Sequence, residues 1–243
     1  MTPSDSQPQL VIRQAVQSVW TDAGYDAPTA GIVPLFELVA SYPIWVAEVE
    51  NLSISRAVHY LAERTGQTPE MGLAGDGPLS GFLYAYQYRG SFVGCILVEK
   101  RDSVVRRRFS VAHELGHYKF HFEPMLAQLA QDQSDEGLLI TDTMLYADPK
   151  DGSSELTSGE GTALPVRTGI VSPQPAIIMS DEKEAEANKF AAVLLMPDSI
   201  LHERIAALHL IPGQPRGYLA SRLASEFLVS KEAMVYRLAA LEI

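Results

Sequence analysis

The chain has 243 residues, 47% of them hydrophobic and 20% charged, and a formal net charge of −11. This composition suits a globular protein with a sizeable core, and it excludes non-specific binding to nucleic acid through massed Lys and Arg. The single cysteine, Cys95, rules out an intrachain disulfide and fits a reducing compartment.

The opening MTPSDSQPQL is polar and lacks both the charged and the apolar regions of a signal peptide. No apolar run reaches the roughly 20 residues of a membrane span. The expectation is a cytoplasmic protein with no membrane partner. A first helix is predicted from Pro8 to about Ala23, with Leu10, Val11, Ala15, Val19 and Trp20 as its apolar face. Pro34 opens a second helix over 35–40. Ile44–Val49 is β-branched and aromatic and reads as a strand. Ser53 caps a helix over 54–64. Met71–Pro78 is a loop by its Gly and Pro content. Ser80–Tyr88 and Ser91–Glu99 then form a hairpin around Arg89-Gly90. The apolar run 92–98 allows two readings, an exposed edge strand or a buried central one, with Cys95 as a small core residue.

The next stretch, RRFSVAHELGHYKFH over 107–121, contains H-E-x-x-H. On a helix, residues four apart share one face, so His113 and His117 stand one turn apart and can bind one zinc ion. Glu114, beside the first ligand, can take a proton from a water on that metal. The bland alternative is a core helix with hydrogen-bonded histidines. A third ligand is required. His121 extends the face but begins roughly 12 Å from His113 at 1.5 Å per residue, too far for one metal in a regular helix. It fits better as an outer-shell or helix-end residue.

Residues 123–180 are rich in Gly, Ser, Pro, Gln and acidic side chains. They read as a long excursion, either a lid or selector near the site or a passive loop, anchored by the apolar runs 138–140 and 177–179. Glu182–Pro197 then reads as a helix with the stripe Ala187, Phe190, Ala191, Leu194 and Leu195, and Pro197 ends it. Glu184 lies one turn before Ala187 and Asn188. A carboxylate on a buried face needs a partner, and a metal is one; the alternative is an exposed glutamate favoured by the helix dipole.

A helix over 199–208 and a break at Gly213–Gly217 follow. Two further helices, 218–227 and 230–241, meet at Leu228-Val229-Ser230 in a helix-turn-helix-like arrangement. DNA binding is disfavoured, since the last helix offers only Lys231 and Arg237. Packing through Val229, Ala233, Val235, Leu238 and Leu241 closes the domain equally well.

The two segments RRFSVAHELGH and E-x-E-A-N-x-F-A-A-x-L-L-M-P together resemble the ImmA/IrrE family of zinc metallopeptidases, over roughly residues 30–243. The resemblance implies an α+β, zincin-like domain over 1–208, with an insertion at about 123–180, and a helix-turn-helix-like element over 209–243. It implies His113, His117 and Glu184 as zinc ligands, with Glu186 in reserve, and Glu114 as the general base. Tyr118, Tyr146 and His121 are candidates for the oxyanion donor. The implied substrate is a protein, such as a helix-turn-helix transcriptional repressor cut in a stress or mobile-element response. The alternative is a regulatory or binding protein with a structural zinc.

Overall fold

A computed structural model describes residues 7–28, 31–65, 77–88, 91–124, 127, 181–208 and 216–243. Among them are eight α-helices and a three-stranded sheet, a mixed α+β fold. None of these helices is long and apolar enough to cross a membrane. The runs 138–140 and 177–179, Tyr146, and the turn Arg89-Gly90 lie outside the described residues, as does nearly all of 123–180.

Helix α1 spans Gln7–Asp22 and α2 spans Leu35–Val39, opened by Pro34. Strand β1, Ile44–Val49, leads to α3, Ile54–Thr65, where the Ser53 hydroxyl accepts the Arg56 N–H at 3.2 Å. Strands β2, Gly81–Tyr88, and β3, Ser91–Glu99, pair antiparallel, while β1 pairs parallel with β3. The order is β1-β3-β2, so β3 is the centre and not the edge. The reason is visible in its burial. Cys95 and Leu97 face a small core with Phe82, Tyr84, Leu52 and Leu61, whereas Ile96 and Val98 face the main core. A strand covered on both faces has no polar side to alternate with. Burial pushes the Cys95 thiol up, which leaves it an inert packing group.

The main core joins one face of the sheet to α1, α2, α4 (Val104–His117), α5 (Asp181–Leu195), α7 (Arg216–Phe227) and α8 (Lys231–Ala240). A short α6, Asp198–Ala207, follows α5. In α1 the buried face is Ile12, Val16, Val19 and Trp20, with Ala15 packed beside it; of the expected face Leu10 and Val11 are exposed. The helix is apolar at three consecutive positions, 10–12, and the neighbouring helices select Ile12. Around α8, Val229, Ala233, Leu238 and Leu241 pack as expected, while Val235 is exposed and its neighbour Met234 is buried instead. Leu228, at φ 54°, ends α7, and the Ser230 hydroxyl caps α8 by accepting the Ala233 N–H at 3.0 Å. Arg237 of α8 points inward. Its Nε donates to the Met196 carbonyl at 3.2 Å, and it pairs with Asp198, which also holds Arg13 of α1 at 3.0 Å.

Candidate metal centre

Helix α4 starts directly after the sheet, where the Ser103 hydroxyl accepts the Arg106 N–H at 3.2 Å. It runs between β2, β3 and α5, so its residues from Ser110 to His117 are all buried. Gly116 marks the closest approach to α5. A Cβ there would lie 3.0 Å from Phe190 Cδ1 and 3.2 Å from Ala187 Cα, so only glycine lets the two helices meet at this depth.

That contact brings three donors together. His113 Nε2 and His117 Nε2 are 2.9 Å apart. Glu184 of α5 reaches them at 3.5 Å and 3.4 Å. All the offered atoms lie within 4.8 Å of one another, the one such cluster of His, Cys, Asp or Glu found among the described residues. A tetrahedral ion with metal–donor distances of about 2.0–2.1 Å, as zinc has, sets its ligand atoms about 3.3 Å apart. The donor separations and the N, N, O donor set therefore fit such an ion. Burial, with His113 beside it, pushes the His117 imidazole down to about 4. The ring is thus neutral at pH 7, the form a metal requires. Glu186 of the same helix lies outside the cluster.

Glu114 is wholly buried and points at the sheet. A Cβ on Gly81, the first residue of β2, would lie 2.4 Å from Glu114 Oε1. The carboxylate occupies the place of an absent side chain. The start of the strand is fixed on either side of it. Arg106 of α4 donates to the Ser80 hydroxyl at 3.1 Å and 3.3 Å, and the Ser80 carbonyl accepts the Glu99 N–H at 3.1 Å. No pattern within the strand announces Gly81, because the demand comes from a helix more than thirty residues later.

His121 sits in a π-helical turn, Tyr118–Phe122, that continues α4. Four residues of α-helix overshoot a full turn by about 40°. The wider i→i+5 turn undershoots instead, so His121 swings back over His117, with ring centroids 5.3 Å apart. It is not one of the clustered donors, and its buried Nε2 has no hydrogen-bond partner among the described residues. Burial lowers its pKa, with Lys183 adding to the effect. Lys119 anchors the turn, its Nζ lying 4.7 Å above the Tyr42 ring, while Tyr42 donates to Asp22 at 2.5 Å. Tyr118 packs into the main core against Tyr42 and Phe122. Its side chain is buried there. Asn188, used in the sequence only to mark helix phase, reaches His113 Nδ1 at 3.0 Å.

The profile of the peptidase M78 family, described as the IrrE N-terminal-like domain, matches residues 74–138 and 179–239, more than half of the chain. The first stretch contains α4; the second contains α5 and runs into the last helix. Residues 139–178 fall between them. No curated protein matches the chain.

Proposed function

The chain belongs to the peptidase M78 family, and from that premise we propose that it is a zinc-dependent endopeptidase. His113, His117 and Glu184 would hold the metal, and Glu114 is the general base. One observation carries the reading: three donors at tetrahedral spacing, with a fully buried carboxylate on the residue that follows the first of them. Three protein ligands leave a coordination position open, whereas structural zinc sites are closed by four. Zinc bound there supplies Lewis acidity to the scissile carbonyl and to the attacking water. Glu114 accepts the proton released in the attack and returns it to the leaving amine. Gly81 leaves the space that the carboxylate occupies, and burial keeps bulk water from it. Among the described residues β2 pairs only with β3, so an extended substrate can add to its outer edge through backbone hydrogen bonds.

The substrate we infer is a protein, a helix-turn-helix transcriptional repressor, cut in the cytoplasm during stress or mobile-element regulation. The family resemblance supports this, and an acidic chain suits a basic, DNA-binding partner. Direct DNA contact by the last helices is not part of the proposal. Arg237 is committed to Asp198 and the Met196 carbonyl, which leaves Lys231 as the outward cation of α8. The test is co-expression with repressors encoded nearby, followed by mass spectrometry of fragments and metal analysis of the purified protein. Fragments that persist with Glu114→Gln, or a wild type that takes up no zinc, would remove the proposal in favour of a regulatory protein without peptidase activity.

A further inference from the structure

The geometry points to Asn188 as the residue that sets the tautomer of His113 and so aims the Nε2 lone pair of that ring at the metal. This rests on the metal site proposed above. A neutral imidazole has one N–H and one lone pair. If Nε2 is the ligand atom, Nδ1 carries the hydrogen and needs an acceptor. Asn188 Oδ1 stands there at 3.0 Å. On the other side of the ring, His117 Nε2 at 2.9 Å and Glu184 Oε2 at 3.5 Å both face Nε2. With a cation among those donors, a hydrogen on His113 Nε2 would point at it, so the metal side and the Asn188 side of the ring ask for the same tautomer. Without the cation, Glu184 favours a hydrogen on Nε2 and Asn188 alone holds it on Nδ1.

The placement follows from one helix contact. Helix α4 offers His113 and His117 four residues apart, and α5 offers Glu184 and Asn188 four residues apart. The pairs face each other because Gly116 lets α4 settle on Ala187, which lies between Glu184 and Asn188. A ligand and the group that orients its neighbour therefore come from one helix, fixed by one register. An amide suits the position electrostatically. It accepts the hydrogen bond without adding a third carboxylate to a site that already holds Glu114 and Glu184. Asn188 is itself exposed while His113 is buried, so the rival role is contact with substrate.

The experiment compares full-length wild type, Asn188→Leu and Asn188→Asp by zinc competition against a chromophoric chelator, and by ¹⁵N NMR of the His113 ring in the metal-free protein. Lost outer-shell partners weaken metal binding roughly 10–100-fold, and an exposed one belongs at the low end. Asn188→Leu should bind zinc about tenfold more weakly and lose the Nδ1–H form. Its metal-free Tm should stay within about 2 °C, as for a surface change. Asn188→Asp, which keeps the acceptor, should restore zinc affinity to the wild-type level or above. Wild-type affinity in Asn188→Leu with Nδ1 still protonated would overturn the inference, as would a failure of Asn188→Asp to rescue. A wild type that binds no zinc would defeat the peptidase reading instead. The NMR comparison would still decide Asn188: loss of Nδ1–H in the leucine variant supports it, and no difference overturns it.

Discussion

Helices α4 and α5 each bring two of the donors and acceptors around the centre, yet they stand in different surroundings. The His113 and His117 side chains are 5% and 0% exposed, while Glu184 is 21% exposed. Helix α4 is covered by the sheet on one side and α5 on another. Helix α5 fully buries only the stripe Ala187, Phe190, Ala191, Leu194 and Leu195; Glu184, Glu186, Ala192 and Val193 are half-buried, and Glu182, Ala185, Asn188 and Lys189 are exposed. One wall of the centre is thus a dry scaffold that carries Glu114, the proposed base, and the other closes on the proposed metal site from the accessible side. Loss of Glu114 from α4 should damage the chemistry alone, and loss of Glu184 from α5 should damage metal retention.

The largest expected effect tests the α4 half. Glu114→Gln should keep zinc at full stoichiometry and lower kcat by about 10²–10⁴-fold, the range for a lost general base. Retained turnover would remove Glu114 from the chemistry and leave α4 as a holder of metal only. The α5 half is tested by Glu184→Ala. Zinc affinity should fall by more than the roughly 100-fold that an outer-shell loss costs, since two histidines alone would remain. Full metal after dialysis against a weak chelator would place the third ligand elsewhere.

A smaller effect concerns the cost of keeping α4 dry. In the metal-free protein the His117 imidazole, faced by His113, His121 and Glu184, sits at about 4 against 6.5 in the unfolded chain. Between these values the unfolded chain takes a proton that the native state refuses. The stability is therefore complete above pH 6.5 and is lost as the pH falls towards 4, by about 3 kcal/mol. Urea unfolding of chelator-treated wild type and His117→Gln at pH 7 and pH 4.5 measures it. Equal acid sensitivity in the two proteins would show that burial of this ring is not the cause. The smallest change, Glu186→Ala on the outer part of α5, should cost a few tenths of a kcal/mol and leave zinc in place. Loss of metal there would mean that the facing side of α5 has been misassigned.

How much of this was legible in the chain depended on how far apart the interacting residues lie. The i, i+4 pair of histidines, the Ser53 cap and the stripe of α5 are local patterns, and helix geometry alone carries them. Glu184 needed the family resemblance, because periodicity places it near a buried face without saying what it faces. The strand order was not legible: β1 joins β3 across an intervening helix and strand, and nothing in 92–98 says which neighbour lies on which side. Asn188 and Gly81 act on residues 75 and 33 positions away, so neither has a local signature. In α1 and α8 single positions differ, Ile12 packing where Leu10 and Val11 were expected and Met234 where Val235 was, because adjacent apolar residues compete and only the packed neighbours decide between them.

Gly81 has a consequence for anyone engineering this protein. Its backbone is in ordinary strand conformation, the left-handed glycine among the described residues being Gly24. By the usual design rule, alanine at such a site gains about 0.4–1 kcal/mol by restricting the unfolded chain. The one atom in its way is the tip of a flexible side chain, Glu114 Oε1, which can swing aside with little harm to the fold. A library sorted for thermal tolerance would therefore accept Gly81→Ala, while an assay of turnover would reject it. At this position the two kinds of selection pull in opposite directions. A melting curve and a kcat measured on that one variant, with zinc content as control, would show whether they do.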